Sequence, residues 1–201
     1  MALNELYDRI DRLRGRTAGF LGRTFAVLVP LVEQNGTIYL LYEVRAQALS
    51  QPGEVCFPGG RMEGTETPEG CALRETREEL GLSAVQIIAP LDRLTNQRGI
   101  LIHPFLGRVS DYHQLSPSPA EVKETFLVPL DFFLRTPPQC YTYTLLPQVD
   151  EDFPYDQIGF PQGYPWQKGQ VQVPIYRWEG RAIWGLTGRI TARLAELLRE
   201  T

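Results

Sequence analysis

What this chain lacks narrows its function before any motif is read. Basic residues are not in excess: 20 Lys and Arg stand against 24 Asp and Glu, for a net charge of −4 and an isoelectric point near 5.3. That balance argues against general affinity for nucleic-acid phosphates or anionic membranes. Apolar runs are short. None reaches the ~18 residues needed to cross a bilayer, and the opening MALNELYDRIDRLRGR has no signal-peptide hydrophobic region. The expectation is a bacterial-type cytoplasmic enzyme. Cysteines number only three, an odd count without metal-ligand spacing, so Cys56, Cys71 and Cys140 are expected to be reduced. Cys56, between Val55 and Phe57, reads as a core residue. Cys71 reads as a small packed residue on the glutamate side of a helix, with slow oxidation the alternative. The two histidines offer little chemistry: His103 lies in a strand between Ile102 and Pro104, and His113 follows Tyr112 in an exposed loop.

What is present suffices for one core. With 201 residues, 43% of them hydrophobic, the chain is expected to form a single domain over 1–201. Leu3, Leu6, Tyr7, Ile10 and Leu13 recur at helical spacing, which predicts an amphipathic helix over 3–14 within an N-terminal extension of residues 1–20. FAVLVPLV (25–32) fits a buried strand, Asn35-Gly36 a tight hairpin turn and TIYLLYEV (37–44) the return strand. A short strand through 55–57 precedes a turn at Pro58-Gly59-Gly60. Further strands are expected over 85–94, with Pro90 at a bend or edge, over 100–109, and near 141–144, 175–178 and 182–184. A final helix capped by Thr187 runs to about Arg199. Strands, a helix, more strands and a last helix predict an α/β sandwich with a mixed sheet.

The chemistry concentrates in one stretch, GRMEGTETPEGCALRETREELGL, residues 60–82. Thr67 is a good helix N-cap, Pro68 fits the first helical position, and Gly81 suits the position just past the end. Within that helix Glu75, Glu78 and Glu79 fall on one face at i, i+3 and i+4, while Ala72, Leu73, Thr76 and Leu80 form a neighbouring apolar stripe. At ~5 Å and an effective dielectric near 20, each pair of like charges costs roughly 3 kcal/mol, less when solvated. A hard divalent cation such as Mg²⁺ or Mn²⁺ would remove that cost. On an arbitrary Glu-rich helix the same face would be a solvated surface with pairs such as Arg74–Glu78.

The stretch resembles the Nudix box, Gly-x5-Glu-x7-Arg-Glu-U-x-Glu-Glu-x-Gly-U, with U a bulky aliphatic residue. Gly60, Glu66, Arg74, Glu75, Glu78, Glu79, Gly81 and Leu82 stand at its positions with the correct spacing, and Thr76 replaces the first U at a packing site. The resemblance implies an α/β/α sandwich whose box is a loop–helix–loop, and a hydrolase that splits a diphosphate bond with divalent cations and water. It implies that Glu75, Glu78 and Glu79 ligate metal, joined by a carbonyl of Gly59 or Gly60. It also implies that Arg74 orients a box glutamate, that Glu66 is ancillary, and that the general base lies outside the box. Glu121 and Glu124 are the candidates for that base.

Upstream, Leu40-Leu41-x3-Arg45-Ala46 and then Gly53-x3-Phe57-Pro58-Gly59-Gly60 resemble the added signature of Nudix coenzyme A diphosphatases. The glycine end matches in spacing. At the arginine end Tyr42, Val44 and Leu49 depart from it. HPFLG at 103–107, Glu121-Val122 and IWGLTGRI at 183–190 also look like that subgroup. The implied reaction is coenzyme A plus water giving 3′,5′-ADP and 4′-phosphopantetheine, with Arg45 near the 3′-phosphate and Gly59, Gly60 and Arg61 lining the substrate. Arg23 and Arg98 are weaker cation candidates, and the aromatic segment 141–166 would wall the adenine or the pantetheine arm. The alternative is a Nudix hydrolase for ADP-ribose, NADH or an oxidised nucleotide. A ligand-binding regulator on a disabled fold predicts lost box glutamates, and none is lost. A homodimer through the N-terminal helix would coexist with catalysis.

Overall fold

The computed structural model describes residues 23–96 and 99–200. The helix expected over 3–14 and the candidate cation Arg98 lie outside the described residues.

Two apolar runs build the spine. Strands β1 (Thr24–Gln34) and β2 (Thr37–Arg45) pair antiparallel. Asn35 and Gly36 between them have φ of 51° and 76°, the pair of positive values that a two-residue hairpin turn matching strand twist requires. Then follow β3 (Val55–Cys56), β4 (Gly59–Arg61), α1 (Pro68–Leu80), β5 (Val85–Pro90), β6 (Leu94–Thr95), β7 (Leu101–Val109), a 3₁₀ turn (Tyr112–Gln114), β8 (Val122–Pro129) and α2 (Leu130–Arg135). Last come β9 (Gln139–Leu145), β10 (Gly169–Trp178), β11 (Arg181–Ile183) and α3 (Gly185–Arg199).

The main sheet has eight strands in the order β3-β2-β1-β7-β5, with β4 on β1, β6 on β7 and β8 on β2. It is mixed, because β1 and β7 run parallel and the other pairs antiparallel. Period-two alternation sends successive side chains to opposite faces. On one face Ala26, Leu28, Val32 and Leu41 meet Cys71, Ala72 and Leu80 of α1. On the other, Val29, Leu40, Tyr42 and Val44 meet Phe133 of α2 and Ile190, Leu194 and Ala195 of α3. The result is the expected α/β/α sandwich.

Four local readings need correction. Gly59-Gly60 is not a turn but the strand β4, with Val27, Ala26 and Phe25 opposite Gly59, Gly60 and Arg61. Gly59 has φ 152°, and a Cβ there would overlap Ala26 O and Val27, so only glycine permits this approach of backbones. The strand expected over 85–94 is split into β5 and β6, with a register irregularity between Ile87 and Ala89. Thr187 does not cap the last helix. That helix begins at Gly185 after the extended Trp184, and the Thr187 carbonyl accepts from Thr191 Oγ1 at 2.9 Å within it. Cys56 is only partly buried, and its place on the sheet faces polar company.

Strands β11, β10 and β9 form a second, three-stranded sheet. β9 is exposed along its whole length. The aromatic segment beyond it stacks on itself, with Phe153 against Tyr155 and Trp166, and Tyr164 against Phe160 and Trp166. No contact between these rings and the box glutamates is seen among the described residues.

Candidate active site

Helix α1 forms where its signals stand. Thr67 Oγ1 accepts the Gly70 N–H at 3.1 Å, Pro68 occupies the first turn, and Gly81 closes the helix at φ 69° with its N–H on Arg77 O. A Cβ on Gly81 would crowd Ser116. This end of the helix is where the 116–119 loop docks: Ser116 N–H donates to Leu80 O at 2.9 Å and Ser118 N–H to Glu79 O at 2.8 Å. Glu121 follows, its N–H on Ser118 O and its own carbonyl taking the Ala46 N–H at 2.8 Å. The loop thereby ties α1 to the end of β2 and sets Glu121 beside both.

Arg74 organises the outward side of the helix. Its Nε and Nη2 grip Glu66 at 3.1 and 3.0 Å, and its Nη1 lies 2.9 Å from both Glu75 Oε1 and Glu78 Oε2. Nη2 also reaches Arg61 O at 3.3 Å. These contacts, led by the hydrogen bond from Arg74 and helped by the Glu63 N–H, hold the Glu66 carboxyl down to about 2. Cys71 is buried beneath them, its Sγ 3.6 Å from Gly60 O, and burial pushes its thiol up to about 12. Such a thiol is a poor nucleophile and a poor target for oxidation. Gly60 also makes room for Glu75, whose carboxylate a Cβ would overlap.

The inward side carries buried charge. Glu79 is 4% exposed and its Oε2 accepts the Gly59 N–H at 2.7 Å. Glu43, on β2, is 1% exposed. It shares a face with Leu41, which packs on Leu80 of α1. Its Oε1 accepts a weak hydrogen bond from Cys56 Sγ at 3.3 Å, while Oε2 has no partner among the described residues. Burial raises the carboxyls of both Glu43 and Glu79, Glu43 raises Glu79 further, and Glu75 and Glu121 raise both. Burial also raises Glu75, and it pushes the Cys56 thiol up with help from Glu43. Sequence reading missed Glu43. The available signal was one acidic residue in the otherwise apolar run TIYLLYEV.

The remaining candidates are spread around this cluster. Arg45 is partly exposed and its Nε donates to Ser50 O at 3.0 Å, bracing its own loop. Arg61 and Arg23 are exposed. Glu124 is committed elsewhere, paired with Arg181 at 3.3 Å, which lies over the Phe126 ring. His103 is half-buried, and burial together with Arg93 lowers it. His113 is exposed.

Among the described residues, no three acidic, histidine or cysteine side chains converge on one point, because Arg74 draws Glu75 and Glu78 while Gly59 holds Glu79. The donor set nevertheless suits a hard cation. Among the described residues, buried Glu79 on α1 and buried Glu43 on β2 have no bonded counter-charge, and Glu43 Oε2 has no partner, a combination that is costly without a positive ion.

A mixed sheet between helices, with a capped, glutamate-bearing helix entered from a Gly-Gly strand, is the architecture of a known class. The model of the NUDIX domain matches residues 22–159, and the chain belongs to that family. It is 41% identical over 159 residues to the peroxisomal coenzyme A diphosphatase NUDT7 of Mus musculus, covering 75% of this chain and 66% of the relative. It is 32% identical over 194 residues to the mitochondrial coenzyme A diphosphatase NUDT8 of Homo sapiens, covering 93% and 72%. A solved C. elegans Ap4A hydrolase complex aligns over 55% of this chain and 82% of its own, with a TM-score of 0.46 and 19% identity.

Proposed function

We propose that this chain is a divalent-cation-dependent diphosphatase that hydrolyses coenzyme A to 3′,5′-ADP and 4′-phosphopantetheine. The observation that carries the substrate is Gly53-x3-Phe57-Pro58-Gly59-Gly60 directly before a complete box, together with two relatives named for coenzyme A. Glu75, Glu78 and Glu79 would hold Mg²⁺ or Mn²⁺. When bound, such an ion polarises the diphosphate and acidifies water.

The chain's own residues do the rest. Arg74 sets the rotamers of Glu66, Glu75 and Glu78 at once, the preorganisation that positioning demands. Strand β4 presents Gly59 and Gly60 with no side chain in the way, so a phosphoryl group can approach the backbone. Glu121, anchored through its backbone and partly buried among the glutamates, would take a proton from the attacking water. Its rival Glu124 is held by Arg181. Arg45, at the mouth of the loop that precedes Gly53, would meet the 3′-phosphate, and Arg61 the neighbouring part of the substrate.

The whole chain acts as one domain in this reading, since α3 and β11 share a core with β2. The three cysteines are free, which supports a reducing compartment, the cytoplasm. The relatives are named as peroxisomal and mitochondrial, so cell fractionation decides location. Among the described residues no helix is long and apolar enough to cross a membrane. Gel filtration decides whether the chain is a homodimer.

The test is product analysis with Mg²⁺ or Mn²⁺ on coenzyme A, ADP-ribose, NADH and diadenosine polyphosphates. Fastest release of 3′,5′-ADP and phosphopantetheine supports the assignment. Fastest turnover of another substrate replaces it with a different Nudix activity. Arg45→Ala should raise the Michaelis constant for coenzyme A more than for dephospho-coenzyme A; equal effects remove Arg45 from the 3′-phosphate site.

A further inference from the structure

Strand β2 runs TIYLLYEVR, and its residues facing α1 include Leu41 and Glu43. An apolar side chain at 43 would continue the seam that Leu41 begins against Leu80. Glutamate stands there instead, 1% exposed, and among the described residues one oxygen has only a thiol donor at 3.3 Å and the other has none. An unpaired buried carboxyl costs several kcal/mol as a rule. The strand holds it in place: Glu43 lies opposite Cys56 on β3 and Thr125 on β8, so both neighbours fix its backbone. Retaining such a group without a local partner points to one that arrives from outside.

The direction of that partner is given by the neighbours. Glu43 is close enough to Glu79, Glu75 and Glu121 to repel all three, and one of these, Glu79, is itself pinned by the Gly59 N–H. Among the described residues the positive group nearest in effect to Glu43 is Arg45, which is spent on the Ser50 carbonyl. Arg74 is spent on Glu66, Glu75 and Glu78. Carboxylates from β2, from two turns of α1 and from the loop before β8 thus meet where the sheet and the helix end, and neither guanidinium is bonded to Glu43 or Glu79.

We propose that Glu43 is a further carboxylate of the cation site, contributed by the sheet opposite Glu79 and facing the divalent ion that the glutamates of α1 hold. The inference rests on the cation site of the preceding reading and extends it to a residue outside the box. It also accounts for the Cys56 thiol, whose S–H steadies Glu43 Oε1 and leaves Oε2 free for the ion.

Mn²⁺ binding to the purified chain, followed by calorimetry and by the loss of the free-ion electron paramagnetic resonance signal, tests this without substrate. Glu43→Gln keeps the shape and removes the charge. It should raise the melting temperature of the metal-free protein, because buried repulsion is relieved, yet weaken Mn²⁺ binding about tenfold or more and shrink the stabilisation that Mn²⁺ confers. Glu43→Asp, which keeps charge but shortens reach, should fall between. Unchanged Mn²⁺ affinity in a folded Glu43→Gln protein overturns the proposal, as does loss of metal-free stability with affinity intact. If the unaltered chain binds no Mn²⁺, the cation site itself fails, a result distinct from the failure of Glu43 alone. Should Glu43→Gln not fold, Glu43→Asp with wild-type affinity and metal-free melting temperature overturns it equally.

Discussion

Arg74 grips Glu66 at two points, Nε to Oε2 at 3.1 Å and Nη2 to Oε1 at 3.0 Å, and with the nitrogen left over it holds Glu75 and Glu78. A planar fork can serve three carboxylates in this way; an ammonium cannot. Arg74→Lys is therefore expected to lower kcat by about tenfold to a hundredfold through misplaced carboxylates, with a modest loss of stability. Steady-state kinetics beside a melting curve checks this, and full activity in the lysine variant would refute the organising role.

The same pair has a pH signature. Glu66 is held down to about 2 against an ordinary value of 4.5. A carboxyl depressed in the folded state adds stability that is present above 4.5 and is lost as pH falls through about 2. The unaltered chain should thus lose stability on acidification from pH 5 to pH 2 more steeply than Glu66→Gln, whose amide does not titrate. Parallel melting-temperature curves for the two proteins would remove this contribution.

Glu78 is exposed and, among the described residues, paired with Arg74 alone, so its charge can be removed without disturbing the core. Glu78→Gln should cut turnover by about a hundredfold or more with the fold intact. Circular dichroism and single-turnover assays decide it; unchanged turnover would dismiss the assigned cation site.

The two glycines of β4 should fail differently. A Cβ on Gly59 meets backbone, at a φ of 152°, so Gly59→Ala should cost roughly 2 kcal/mol or more, read as a melting temperature lower by about 4–8 °C. The three atoms nearest a Cβ on Gly60 all belong to the Glu75 carboxylate, the end of a flexible side chain. Gly60→Ala should therefore keep most of the stability and lose activity. Equal effects of the two substitutions on melting temperature would contradict this division.

Remote from the site, Tyr42 stacks on Phe57 and Phe126, and its hydroxyl lies 3.0 Å from Thr191 Oγ1 in the core. Tyr42→Phe should cost about 1 kcal/mol, while Thr191 keeps its bond to Thr187 O. Chemical denaturation measures it, and no loss would show the hydroxyl pair to be energetically idle.

The helix that carries the box glutamates is legible in the linear chain. Thr67, Pro68 and Gly81 act within one turn of the helix ends, and Glu75, Glu78 and Glu79 share a face by a 3.6-residue period, so spacing alone suffices. The hairpin at Asn35-Gly36 is legible for the same reason, since two positive φ values are a local demand. That Gly59 and Gly60 form a strand against β1 is a property of the folded chain, because it depends on how closely two distant backbones approach. Folding likewise places Glu43 next to Glu79 and ties Glu121 to both β2 and the end of α1. Those three carboxylates are far apart in the chain, and their meeting depends on sheet register and on a loop docked to a helix end, contacts that no spacing along the sequence encodes.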